Sequence, residues 1–135
     1  MAVLGFTASA FDVLHAGHIA MLEEAASVCD VLVCGLHVDP SKERPEKCTP
    51  LQTLSERYMQ LAAVRHVSRI IPYETEAELL QIIALLCPDV RIIGEEYSGK
   101  PFTGKELCEQ MGIRIHYNRR RHRLSSTLQR GRLTK

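Results

Sequence analysis

The sequence contains no tryptophan, and phenylalanine and tyrosine together make up only 5% of its 135 residues. Neither sign of charge dominates, since 17 lysines and arginines face 16 acidic residues for a formal net charge of +1. Bulk charge therefore selects no polyanionic partner. Five cysteines, Cys29, Cys34, Cys48, Cys87 and Cys108, form no Cys-x-x-Cys pair and leave an odd thiol, so the pattern is neither a disulfide framework nor a zinc site. Reduced, mostly buried cysteines are expected, with Cys34 and Cys87 in the core. No apolar run approaches membrane-spanning length, and Met1 leads into a short apolar segment without a basic leader region. The expectation is a soluble, cytoplasmic protein that makes no membrane contact. Internal repeats and low-complexity tracts are absent too.

What is present is alternation. Residues 2–7 form a nearly continuous apolar run, the mark of a central strand buried on both faces. From Gly17 the period changes, and Ile19, Leu22 and Ala26 recur on one helical face opposite Glu23 and Glu24, predicting a helix to about Val28. Residues 31–36 are a second buried strand. Residues 39–50 hold three prolines and many charges without periodicity, a loop long enough to suggest a mobile lid. Thr53 with Glu56, and Thr75 with Glu78, are capping boxes that open two more helices. The second carries Leu79, Ile82, Ile83 and Leu86 as an apolar stripe and stops at Pro88. Strands are predicted at 67–71, 90–93 and 113–117, and a modest helix at 104–111 halts at Gly112. This order predicts one α/β domain over residues 1–135, a Rossmann-like, doubly wound, five-stranded parallel sheet with ligands beyond the carboxyl ends of its strands.

Three segments follow strands at that edge. In the first, Ser9-Ala10-Phe11-Asp12-Val13-Leu14-His15-Ala16-Gly17-His18, two imidazoles and a glycine sit where a strand hands over to a helix. A helix start offers unpaired N–H groups and the positive end of the dipole, which suit phosphate. Imidazoles placed there can stabilise charge that builds on a phosphoryl group without bonding to it covalently. Two unrelated surface histidines are the plainer alternative; a metal site is weaker still, because no third ligand stands at a recognisable spacing. The second segment, Gly94 to Lys100, is a polar, glycine-bearing loop. The third is basic, with Arg119, Arg120, Arg121 and Arg123 leading to Ser125, an apt N-cap for a last short helix. Ser125, Ser126 and Thr127 offer hydroxyls and N–H groups to phosphates, and Arg120 adds a charged fork. A solvated or nucleic-acid-binding tail is the alternative for this cluster, although only Tyr117 is near enough to stack on a base. His37 and His116 lie near strand ends at the expected ligand edge, although each reads more simply as a surface histidine. Arg57 suits either structure or ligand, and Asp12 reads as a group that hydrogen-bonds the turn and fixes the imidazoles.

The run Phe11-Asp12-x-x-His15-x-Gly17-His18 after a first strand resembles the signature of the nucleotidyltransferase superfamily, and the whole chain is most similar to its small cytidylyltransferases, those acting on glycerol 3-phosphate above all. Glu56-Arg57, Arg65, Gly94 with Glu95, Glu96 and Tyr97, and Arg120 with Leu124-Ser125-Ser126-Thr127 carry the likeness further. It implies transfer of a nucleotidyl group from CTP to a phosphorylated small alcohol, with Mg²⁺ as cofactor, in a homodimer that does not engage nucleic acid. His15, His18, Lys47 and Arg120 would be catalytic. Ser9, Ala10, Phe11, Gly17, Arg65, Gly94, Glu96 and residues 124–127 would join them in binding the nucleotide, and Asp12, Lys47 and Tyr97 would meet the acceptor. Lys47 would close over the phosphates from the loop. An adenylyltransferase using ATP on a cofactor precursor, and a non-catalytic nucleotide- or nucleic-acid-binding module, remain as alternatives.

Overall fold

A computed structural model describes residues 1–119. Five strands, β1 (Leu4–Ser9), β2 (Val31–His37), β3 (Arg69–Tyr73), β4 (Val90–Gly94) and β5 (Arg114–Asn118), form one sheet in the order β3-β2-β1-β4-β5. Every pairing is parallel. Four helices connect them: α1 (Ala16–Ser27), α2 (Leu54–Ala62), α3 (Glu76–Leu86) and α4 (Lys105–Met111). The order reverses between β1 and β4, and the crevice at such a switch point is where open α/β sheets bind ligands.

The sheet is covered on both faces, as its apolar runs demand. Because successive strand residues point to opposite sides, Leu32, Cys34 and Leu36 of β2 pack with Leu22 and Ala25 of α1 and Leu61 of α2. Val33 instead joins Phe6, Tyr73, Leu79, Ile83 and Cys108 beneath α3 and α4. Strand ends sit two residues later than expected for β1 and β3. Pro72, which has no N–H to give, is accommodated because β3 is an edge strand. At the amino edge two aspartates fix the central strand: Asp30 accepts Val3 N–H at 2.6 Å and Asp89 accepts Leu4 N–H at 2.8 Å.

Both threonine–glutamate capping boxes form as predicted. The buried faces differ in detail. Ile19 is 37% exposed, and α1 buries Leu22 and Ala25 instead. Cys87 is no core residue: Pro88 cannot continue the helix, so Cys87 caps α3 in the left-handed region at φ 44° and its side chain is exposed. The five thiols are unpaired; Cys34 and Cys108 are buried, whereas Cys48 and Cys87 face solvent. Burial pushes the Cys34 thiol up to about 12.

On α2 the position facing the core before Leu61 is taken by an arginine. Arg57 is 2% exposed and donates to four backbone carbonyls: Gln52 at 3.1 Å, Ala10 at 3.1 Å, His37 at 2.7 Å and Val38 at 2.6 Å. One guanidinium thus joins the segments that follow β1 and β2 to the start of α2. Burial lowers its pKa, and the carboxylates of Asp12 and Asp39 offset that cost. Arg57→Met keeps the stem but leaves the carbonyls without their donor, and should lower unfolding stability by about 3 kcal/mol. A urea titration showing under about 1 kcal/mol lost would mean the loops hold themselves together without it.

Candidate functional site

Residues 10 to 15, between β1 and α1, form a strained loop. Phe11 and Val13 have φ of 49° and 47°, values a β-branched valine rarely adopts. The strain is held from several sides. Val13 N–H donates to Gln52 Oε1 at 2.8 Å, and the Asp12 carboxylate accepts Leu51 and Gln52 N–H at 2.8 and 3.0 Å. The Phe11 ring is buried in the α1/α2 core, 6.0 Å from the His18 ring.

This loop delivers two histidines to the start of α1 as a capping box made of imidazoles. His15 Nδ1 accepts Gly17 N–H at 2.9 Å, and His18 Nδ1 accepts His15 N–H at 3.2 Å. A nitrogen that accepts carries a lone pair, so in each ring the hydrogen resides on Nε2. The rings lie 4.1 Å apart. Burial lowers the His15 pKa, which also favours its neutral form. The pair places two imidazoles, each with its hydrogen on Nε2, at the positive end of a helix.

Both histidines line a cavity of about 450 Å³ at the carboxyl edge of the sheet, within the range of small-ligand sites. Ser9, Ala10, Met21, Asn118 and Arg119 share the α1 side. Tyr73, Glu76, Leu79, Arg91, Phe102 and Thr103 form the α3 side, and Gly94, Glu96 and Tyr97 lie between. Segment 39–50 roofs it with Arg44 and Lys47. Three contacts join this segment to the α3 side: Arg44 donates to Thr103 Oγ1 at 3.0 Å and pairs with Glu76 at 3.3 Å, and Glu43 accepts Glu76 N–H at 2.8 Å. His37 Nε2, Arg91 Nε and Asn118 Oδ1, on cavity-lining residues, are buried without a hydrogen-bond partner among the described residues. No group of three or more His, Cys, Asp and Glu among the described residues is placed to hold a metal ion.

Residues 6–132 match the profile of the cytidylyltransferase-like family. The chain belongs to the cytidylyltransferase-like family. Its curated relatives include bifunctional protein HldE of Gluconacetobacter diazotrophicus, 36% identical over 115 residues, and that of Aliarcobacter butzleri, 35% identical over 109 residues. These alignments take in 83% and 80% of this chain, but the chain spans only 23% of either relative's length. A lipopolysaccharide core biosynthesis protein from Thermoplasma volcanium has the same fold, with a TM-score of 0.70 and 23% identity over 90% of this chain and 98% of that one. A pantoate-β-alanine ligase from Francisella tularensis is a more distant neighbour, with a TM-score of 0.62 and 16% identity over 87% of this chain and 59% of that one.

Of the residues that the family resemblance singled out, the fold brings Ser9, Ala10, His15, Gly17, His18, Lys47, Gly94, Glu96 and Tyr97 to one cavity. Three others stand elsewhere. Phe11 is 1% exposed in the core and supports His18 from behind. Asp12 braces the loop against residues 51 and 52. Arg65 is exposed in the connection that enters β3, at the amino edge opposite the cavity, because parallel strands all begin on that side. Arg120, Leu124, Ser125, Ser126 and Thr127 lie outside the described residues. Among the lining residues, two buried polar ones stand out. His37 is no surface histidine: it is 6% exposed and stacks on Tyr73 at 4.5 Å. Arg91, inside an apolar strand run, is 4% exposed. His116 does reach the surface region, where it meets Glu24 at 2.8 Å.

The imidazole cap has a pH signature. A histidine whose pKa is lowered by folding contributes stability that is fully present above the ordinary value of 6.5 and lost as the pH falls through the lowered value. An NMR titration of the ring protons should place the His15 transition below 6.5. Titration at or above 6.5 would contradict the Nδ1-acceptor geometry.

Proposed function

We propose that the chain transfers a nucleoside monophosphate from CTP to a phosphorylated small alcohol, with glycerol 3-phosphate the first candidate acceptor. The observation that carries this reading is the pair of Nε2–H donors fixed at the start of α1, in a cavity whose walls also bring Lys47, Arg44, Arg91 and Arg119. An acceptor phosphate oxygen attacks the α-phosphorus, the bond to the β-phosphate oxygen breaks, and pyrophosphate leaves with the bonding electron pair. Negative charge spreads over the oxygens around the α-phosphorus as this happens. Aimed, uncharged N–H donors that need no reorganisation stabilise such charge effectively. His15 and His18 therefore act on the transferring group, and neither needs to give up its proton. Lys47 neutralises the triphosphate from the roof, and Arg120 with Ser125 to Thr127 would add to that neutralisation. Mg²⁺ enters this proposal only as the counter-ion that accompanies a triphosphate, since that ion is commonly bound through substrate phosphates. A homodimer in the cytoplasm is the proposed working form.

A second reading changes the substrates and keeps the chemistry. The relatives bear the name HldE, and one structural neighbour is named for lipopolysaccharide core biosynthesis. The lipopolysaccharide name favours a sugar phosphate as acceptor, and ATP is the rival donor.

Pyrophosphate release, measured with CTP and ATP against glycerol 3-phosphate and a series of sugar phosphates, separates the two. His18→Ala should lower kcat by about 10²–10³-fold with little change in Tm. Turnover with neither nucleotide, or an unimpaired His18→Ala enzyme, would refute the proposed chemistry.

A further inference from the structure

The histidines account for the α1 side of the cavity and leave the α3 side unexplained. That side is built around an arginine in an unusual place. Arg91 lies on the central part of the sheet, and its strand neighbours Val90 and Ile92 face the opposite core, so its side chain projects under α3 and α4. There it is 4% exposed, donates through Nη1 to the carbonyl of Thr103, and lies 5.2 Å from the centre of the Phe102 ring. Its Nε has no partner among the described residues, and no carboxylate within the described residues forms an ion pair with it.

The fold makes room for this group at a cost. Gly104 takes φ +90°, and a Cβ there would come within 2.5 Å of Arg91 Nη1. A buried guanidinium without an anion pays most of its desolvation penalty uncompensated. Glu76, whose charge acts on Arg91 from a distance, already pairs with Arg44, and Glu43 is taken up by the Glu76 N–H. The Tyr73 hydroxyl stays neutral, because burial drives its pKa upward. This combination favours a ligand that carries negative charge into the pocket.

We propose that Arg91 is a specificity-determining residue of the acceptor pocket and binds a second anionic group of the acceptor, at the end remote from the attacking phosphate. The inference rests on the reading of the cavity as a nucleotidyl-transfer site. A carboxylate or a second phosphate has the required chemistry, since both accept paired hydrogen bonds from a guanidinium. Glycerol 3-phosphate, the first candidate acceptor above, would leave that charge unmatched, so an acceptor with a second anionic group is expected to bind ahead of it.

Two matched pairs of compounds test this by calorimetry on the full chain without nucleotide. 3-Phosphoglycerate and glycerol 3-phosphate differ only in a carboxylate against a hydroxymethyl group. Glucose 1,6-bisphosphate and glucose 1-phosphate differ only in the second phosphate. The anionic member of at least one pair should bind about tenfold more tightly, and Arg91→Met should reduce that preference to about threefold or less. Arg91→Lys should retain part of it. The pair that shows the preference identifies the anion as carboxylate or phosphate. Equal affinity within both pairs, binding of none of the four compounds, or an unchanged preference in a folded Arg91→Met protein would overturn the proposal. Should Arg91→Met fail to fold, the Arg91 Nε–H resonance of the wild-type protein decides, because it must shift as the preferred anion is added; a stationary signal overturns the inference. Because no nucleotide is present, a preference seen here without turnover in the pyrophosphate assay would count against the transfer reaction and not against the anion pocket.

Discussion

The carboxyl edge of this sheet depends on one buried guanidinium. Arg57 reaches from α2 to carbonyls in three chain segments, two of which leave neighbouring strands. Three of those carbonyls, of Ala10, Val38 and Gln52, belong to connections where the chain has left its strand and not yet begun its helix, and the fourth, of His37, ends β2. Five fixed donors on a planar group suit that geometry better than any neutral side chain. Everything above it inherits its position. The loop that presents His15 and His18 is held at Ala10, and the roof over the cavity starts from Val38.

Upon that base the histidines are arranged as dipoles and not as charges. Each ring spends Nδ1 on capping the helix, which fixes its rotation and its tautomer together. The same hydrogen bonds that finish the helix thus orient the groups that face the cavity. Folding and site geometry are here a single set of contacts.

Much of this was legible in the sequence. Apolar runs, capping boxes and helix-stopping Gly112 and Pro88 expose the strand and helix alternation, because each rests on interactions between near neighbours. The two histidines and Gly94 were placed correctly for the same reason: a strand–loop–helix junction puts them at the carboxyl edge. Arg91 was hidden because it interrupts an apolar run by one residue, and its burial depends on Phe102 and Gly104, which reach it only through the fold. His37 was hidden likewise, since its stacking partner Tyr73 comes from another strand. Arg65 shows the converse error. A motif position can be right in order along the chain and still enter the sheet at the far edge. Arg57 sits in a recognisable pair with Glu56, yet nothing local tells whether it serves ligand or backbone.

The left-handed residues Phe11 and Val13 bear on what ligand binding has to do. A loop that must be ordered by its ligand charges that entropy against affinity, at about 1–2 kcal/mol for each residue fixed. This loop has met the cost during folding, through the buried Phe11 ring, the Asp12 brace and the Gln52 contact. A ligand that arrives finds one conformation already selected. Affinity can then come from a few donors, and a small chain can hold a highly charged guest without a large enclosing surface.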